Sequence, residues 1–240
     1  MSGLDRTHAG TVRVWDWPTR AFHWLFVSLI VSAWLSFELA NKIGDPTLKW
    51  HRWNGYAILV LLVFRLIWGV VGSSTARWAS FVRGPGAMLR YGLGMMRGEK
   101  ARYLGHNPLG TAMILVLLAA VATQAMLGLF SLEHNEITAG PLKRLISDET
   151  AKVITDLHVR GFNMIIGFAA IHVLANAGYG MMTGEPLIQA MVTGRKPAEP
   201  YVDATEMVPA PSVTLRALVV LAMSIGIVFG GITLAGGRIF

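Results

Sequence analysis

The sequence predicts an all-α membrane protein with five transmembrane helices. Composition is the first observation: 53% of the 240 residues are hydrophobic and only 15% are charged, with a mean hydropathy of +0.50. Soluble domains carry about 25% charged residues. The second is a set of five apolar runs, Ala21–Leu39, Trp53–Val71, Pro108–Leu132, Gly161–Met182 and Ala217–Ala235, each near the ~20 residues a bilayer-spanning helix needs. The third is the placement of tryptophan. Trp15, Trp17, Trp24, Trp34, Trp50, Trp53, Trp68 and Trp78 fall mostly near run ends, as in the aromatic belt at a membrane interface.

Taken in order, residues 1–20 hold no apolar core and no clear cleavage site. The first run is too long for a signal peptide and is expected to stay as an anchor. Orientation follows from lysine and arginine. With the N-terminus inside, the inner segments carry twelve basic residues and the outer ones eight. The 72–107 segment decides the matter, with Glu99 alone opposing its six basic residues. The N-terminus is therefore expected to be cytoplasmic and the C-terminus external. Within that segment, PGAMLRYGLGMMRG predicts a short helix on the membrane surface. His106-Asn107-Pro108 then opens the third span, with Asn a good N-cap and Pro suited to the first turn.

The longest outer loop, Glu133–Asp156, is rich in acids and is expected to form a short helix after Pro141. Residues 183–212 contain Pro186, Pro197, Pro200, Pro209 and Pro211 and predict an extended linker to the fifth span. In that span Gly226 and Gly230 stand at the spacing of close helix packing. The domain reading is 1–196 as the transmembrane core, 197–212 as linker and 213–240 as an additional C-terminal helix. The absence of cysteine excludes disulfides, Cys-held iron–sulfur clusters and covalently attached c-type haem. The net charge of +7 is spread over loops as a topology signal and implies no nucleic-acid partner.

The chain is organised around its fourth span. In DLHVRGFNMIIGFAAIHVLANAGYGMM no formal charge follows Arg160, yet His158 and His172 remain. Fourteen residues are almost four helical turns, so both imidazoles share a face, about 21 Å apart along the axis. An ionisable residue inside a membrane is a functional candidate by default. A lone membrane histidine is often only a hydrogen-bonding residue between helices, but a repeat on one face argues for two like tasks at two depths. His23, at the start of the first run, matches the depth of His172, and His51, at the start of the second, matches that of His158. Two stacked bis-histidine sites follow, and axial ligation of two non-covalent haems b meets that demand.

Arg65 stands fourteen residues after His51, at the depth of the inner site, where an arginine needs an anionic partner. A haem propionate is one that it can hold bidentately. Arg20, Arg52 and Arg160 lie beside the ligands and are further propionate candidates, with a positive-inside flank (Arg20) and solvated charges (Arg52, Arg160) as the plain alternatives. Gly55, Gly128 and Gly161 would let a flat macrocycle approach the backbone, or else serve helix packing. His8 and His134 are expected to be exposed, and His106 to be a helix-start residue, with a place near the inner haem or a quinone as its minority reading. The twelve methionines are packing residues.

The segments VWDWPTRAFHW (Val14–Trp24), HRWNGY (His51–Tyr56), FRLIWGVVGS (Phe64–Ser73), LGHNPLG (Leu104–Gly110), GPL (Gly140–Leu142), LHVRGFN (Leu157–Asn163) and AMVTGRK (Ala190–Lys196) resemble the b-type cytochrome subunits of nickel–iron hydrogenases and the related bacterial di-haem cytochromes b. The resemblance implies a four-helix transmembrane bundle binding two haems through His23, His51, His158 and His172, with the fifth helix as an addition. It also implies electron exchange with the membrane quinone pool, a bound quinone, and a periplasmic redox protein, either hydrogenase-like or a c-type cytochrome, with an oligomer compatible. Two other readings stand beside it: a histidine-lined proton or ion transporter, and a membrane anchor whose fifth helix binds a partner.

Overall fold

A computed structural model describes residues 10–45, 47–99, 101–132 and 139–239. Five helices are long and apolar enough to cross a membrane. They are α1 (Trp17–Glu38), α2 (Lys49–Val71), α5 (Pro108–Gly128), α6 (Asp148–Thr183) and α8 (Val213–Leu234). Three shorter helices complete the set: α3 (Trp78–Phe81), α4 (Pro85–Met96) and α7 (Leu187–Thr193). Two three-residue strands, β1 (Thr11–Arg13) and β2 (Arg195–Pro197), pair antiparallel with Val12 opposite Lys196.

Side-chain caps start three of the five spans. Asp16 caps α1, accepting from Thr19 N at 2.9 Å, with Pro18 in the first turn. The other oxygen of the same buried carboxylate accepts from Trp68 Nε1 at 3.2 Å and Ser73 N at 3.3 Å. One side chain thereby ties the start of α1 to the end of α2, and three donors offset its burial. Asn107 caps α5 by accepting from Gly110 N at 2.7 Å, as its motif predicts. Ser147 caps α6, with Asp148 and Glu149 in the first turn, where carboxylates favour the positive end of the helix dipole.

The spans pack as α1 on α2, α5 on α6, and α8 on α2, with α2 also touching α5. The main core joins Phe22 and Phe26 of α1, Ile58, Leu62 and Trp68 of α2, Val121 of α5, Ile165 of α6 and Val220 of α8. The fifth helix is thus part of the body. It turns Ala217, Val220, Ser224, Val228 and Ile232 inward. A Cβ at Gly226 or Gly230 would meet no atom within 4 Å, so within this chain those glycines lie off the packed face.

At the end bearing the β-ribbon, Val14, Trp15, Leu104 and Ala190 form a separate small core. Beside it the Lys196 ammonium reaches Glu185 Oε2 at 3.0 Å and the Tyr103 carbonyl at 2.9 Å, both side chains being buried. The expected linker is non-helical over most of its length but is bound along this cap. Met207 and Ala210 are buried, and Ser74 N donates to the Val208 carbonyl at 2.9 Å. The surface helix appears as α4, with Leu89 and Met96 exposed. The helix expected after Pro141 is a single 3₁₀ turn, Lys143–Leu145.

The main departure in length is α6. Its 36 residues run for about 54 Å, well beyond a hydrocarbon core of about 30 Å. The helix begins at Asp148, before the apolar run, so its first turns stand clear of that core.

Candidate functional site

The histidines of α2 and α6 meet at the end away from the ribbon. The His51 and His158 rings lie with centroids 6.1 Å apart and planes at 90°. His51 Nδ1 is 2.9 Å from the Ala33 carbonyl, and His158 Nδ1 is 2.9 Å from the Gln124 carbonyl. A carbonyl only accepts, so each Nδ1 carries the proton and each Nε2 keeps its lone pair. That is the arrangement by which a protein fixes a ligating imidazole. Metal–imidazole bonds of roughly 2 Å each, plus the two ring radii, put centroids about 6 Å apart. A bare ion would need more protein ligands, and no group of three or more His, Cys, Asp or Glu suited to a metal occurs among the described residues. A metal that brings its own four equatorial nitrogens needs only two.

Glycine shapes this site. A Cβ on Gly128 would lie 3.1 Å from His158 Cε1, so the missing side chain is what admits the ring. A Cβ on Gly55 would meet nothing within 4 Å, which leaves that face of α2 open beside His51. Gly161 does other work: its missing Cβ makes room for Gln124, whose Oε1 would be 2.7 Å away. Gln124 Nε2 in turn donates to the His158 carbonyl at 2.6 Å.

Toward the ribbon, His23 of α1 and His172 of α6 lie within electrostatic reach of each other. His172 Nδ1 is 3.3 Å from the Asn176 amide one turn along. His23 has Trp24 edge-on at 4.8 Å, and its Nδ1 is buried with no hydrogen-bond partner. An orphaned buried nitrogen of this kind lacks an acceptor if it carries the proton, and a donor or a metal if it does not. Between the two pairs, on the same stripe of α6, lies the buried Ile165.

His106 is the residue whose importance the sequence understates. It precedes the α5 cap, yet it is packed between Trp15 at 4.5 Å and Phe81 at 4.8 Å. Its Nδ1 is also buried and unpartnered. Burial first, then the positive charges of Arg65 and Lys196 and the neighbouring His172 and His23, push its pKa down to about 3. The LGHNPLG segment singles it out in the sequence, but the aromatics that enclose it, Trp15 and Phe81, are distant along the chain.

The arginines divide. Arg65 is 4% exposed, donates to the Ala76 carbonyl at 3.1 Å and lies 4.1 Å from the Trp78 ring, with Asp16 in electrostatic reach. The protein itself supplies these partners. Arg20 donates Nη1 to the Val192 carbonyl at 2.6 Å. Arg52 lies within reach of Asp45. Arg160 is exposed and pairs with Asp156 at 3.1 Å, the solvated alternative. His8, His134, Glu133 and Glu136 lie outside the described residues.

A family model described as prokaryotic cytochrome b561 matches residues 14–194. The probable Ni/Fe-hydrogenase B-type cytochrome subunit of Rhodobacter capsulatus is 22% identical over 218 residues, covering 78% of this chain and 81% of that protein. No solved structure matches the chain.

Proposed function

Since the chain belongs to the prokaryotic cytochrome b561 family, and is thereby a transmembrane b-type cytochrome of electron transfer, we propose that it holds two haems b and passes electrons between a periplasmic redox protein and the membrane quinone pool. His51 and His158 hold one haem in this reading, and His23 and His172 the other. The observation that carries it is the outer pair: two imidazoles 6.1 Å apart, each with Nδ1 engaged by a helix carbonyl and Nε2 left for a metal. The orphaned His23 Nδ1 and the open face at Gly55 support the fit.

When bound, haem b supplies a reversible one-electron iron centre. The chain's own residues do the rest. The α1 and α5 carbonyls orient the two outer rings and raise their basicity. Gly128 admits His158. Arg65 offers positive charge at the inner site that would favour propionates. The matched relative is a probable hydrogenase cytochrome subunit, which supports a hydrogenase-like donor; a c-type cytochrome is the other candidate. Of the exposed acids at the start of α6, Asp148 pairs with Lys143 and Asp156 with Arg160, which leaves Glu149 to face a basic partner at that end. That end is periplasmic in the proposed orientation.

The proton-relay reading is disfavoured by Ile165, an apolar side chain buried between the two imidazole pairs. The experiment that tests the proposal is the reduced-minus-oxidised absorption spectrum of protein purified from membranes. The expected result is a pair of reducible b-type haems; an absence of reducible haem bands would overturn the assignment.

A further inference from the structure

Beside the start of α1, on the ribbon side, the structure has a cavity of about 260 Å³ whose lining includes Arg13, Arg20, Arg195, Trp17, Asp16 and Val213. From these residues we propose that the cavity is a binding site for the phosphodiester of an anionic phospholipid.

The charge balance is the first argument. Three guanidiniums face one carboxylate, and that carboxylate is already saturated by Thr19 N, Trp68 Nε1 and Ser73 N. Among the described residues none of the three arginines is ion-paired. Arg20 is anchored by its Nη1 on the Val192 carbonyl, while its Nε is buried and without a partner. Gly194, at φ +79°, lets the turn close on that guanidinium: a Cβ there would lie 3.1 Å from Arg20 Nε. Arg195 is steadied by Thr11 Oγ1 at 3.1 Å. Arginine forks suit phosphate oxygens.

The second argument is independent of side-chain charge. Val213 is the first residue of α8, a 22-residue helix whose N-cap, Ser212, makes no side-chain cap bond. The free N–H groups of that helix start, and its positive dipole end, therefore lie at the cavity wall, a ready anion site.

Depth selects the anion. The cavity opens where α1 and α8 begin, the level of the membrane interface. Trp17, 42% exposed, donates its indole N–H to Thr214 there at 3.3 Å. Below it on α8, Leu215, Leu218 and Val219 present exposed apolar surface on which acyl chains can lie. Basic pockets beside transmembrane helices are known lipid-headgroup sites as a class. A phosphodiester carried by two acyl chains satisfies both the charge and the apolar flank.

The test is lipid retention by the intact haem-loaded protein. Protein is delipidated in a neutral detergent, titrated with phosphatidylglycerol or phosphatidylcholine, and read by native mass spectrometry and thermal midpoint. Wild type is expected to retain phosphatidylglycerol at least about tenfold better than phosphatidylcholine. The doubly substituted Arg13→Gln/Arg195→Gln protein should lose that preference with an unchanged absorption spectrum. The single Arg195→Gln protein, altered only on the exposed ribbon, keeps the test decisive if the double variant folds poorly, and should lose part of the preference. Equal retention of both lipids by wild type, or full preference in Arg195→Gln, would overturn the proposal. Protection by inorganic phosphate equal to that by phosphatidylglycerol would also overturn it, as would loss of haem in Arg20→Gln with lipid preference intact; those results would assign the cavity to a free anion or to a propionate.

Discussion

The two imidazole pairs share one helix, yet their surroundings differ in kind. The outer pair is set by backbone. Ala33 and Gln124 carbonyls hold the two Nδ1 atoms, and both carbonyls belong to helices that the core packs rigidly. The inner pair has no such frame. His172 has a side-chain amide beside it, His23 Nδ1 has no partner, and a third imidazole, His106, is sealed nearby between aromatic rings. Positive charge also gathers at the inner end, with Arg65 and Lys196 both in reach of His106. The outer site is built for fixed geometry. On the proposed assignment the inner site would be tuned electrostatically, since cations nearby favour the electron-bearing state of a metal centre.

This contrast breaks most decisively at the ligands. Replacing His158 or His51 with Ala should remove about half the bound haem and leave the inner half, and His23→Ala or His172→Ala should do the converse. Pyridine haemochrome assay against protein concentration measures it. Total loss from every variant would mean that the pairs are not independent. Next comes Gly128→Val, whose Cβ would crowd His158 Cε1 at 3.1 Å. It should empty the outer site several-fold while sparing the inner one, because backbone framing leaves the outer ring no room to shift. The same assay reads it, and an undiminished outer signal would show that the frame is soft.

The inner end also responds to pH. His106 is neutral in the folded protein because burial and nearby positive charge depress its pKa to about 3, whereas unfolded it titrates near 6.5. Stability from this group is therefore present above pH 6.5 and is lost as pH falls toward 3. By pH 5 the loss should be about 2 kcal/mol. His106→Gln should flatten that part of the midpoint-versus-pH curve between pH 7 and 5, and an unchanged slope would contradict the burial. The smallest effect is expected from Asn176→Leu, which removes the amide beside His172. It should shift the reduction midpoint of the inner haem alone in a redox titration; a shift confined to the outer one would reverse the assignment of depths.

The spans were legible because uninterrupted apolar runs admit few structures in lipid, and the cap at Asn107 and the surface helix α4 carry local signals of their own. The true extent of α6 was hidden by its polar first turns, although Ser147 followed by two acids is a start signal in plain view. The ribbon escaped because strands of three residues carry no periodicity, and their pairing joins residues at opposite ends of the core domain. For the same reason the buried Lys196–Glu185 pair could not be seen: long-range polar partners leave no local trace. The fourteen-residue step did place two imidazoles on one face of α6, since helical geometry is rigid over that distance. The partners of Arg65 were another matter. A propionate was the anion that depth suggested, but Trp78 and the Ala76 carbonyl come from a loop whose path only the fold defines.

In the proposed assignment two imidazole pairs each hold one haem. Low-temperature electron paramagnetic resonance of the oxidised, purified protein tests it most directly, because bis-imidazole ferric haem is low-spin. Two distinct low-spin signals of equal integrated intensity are expected, with the loss of one in His158→Ala and of the other in His23→Ala. A single signal in the wild type, or both signals surviving in His158→Ala, would contradict it.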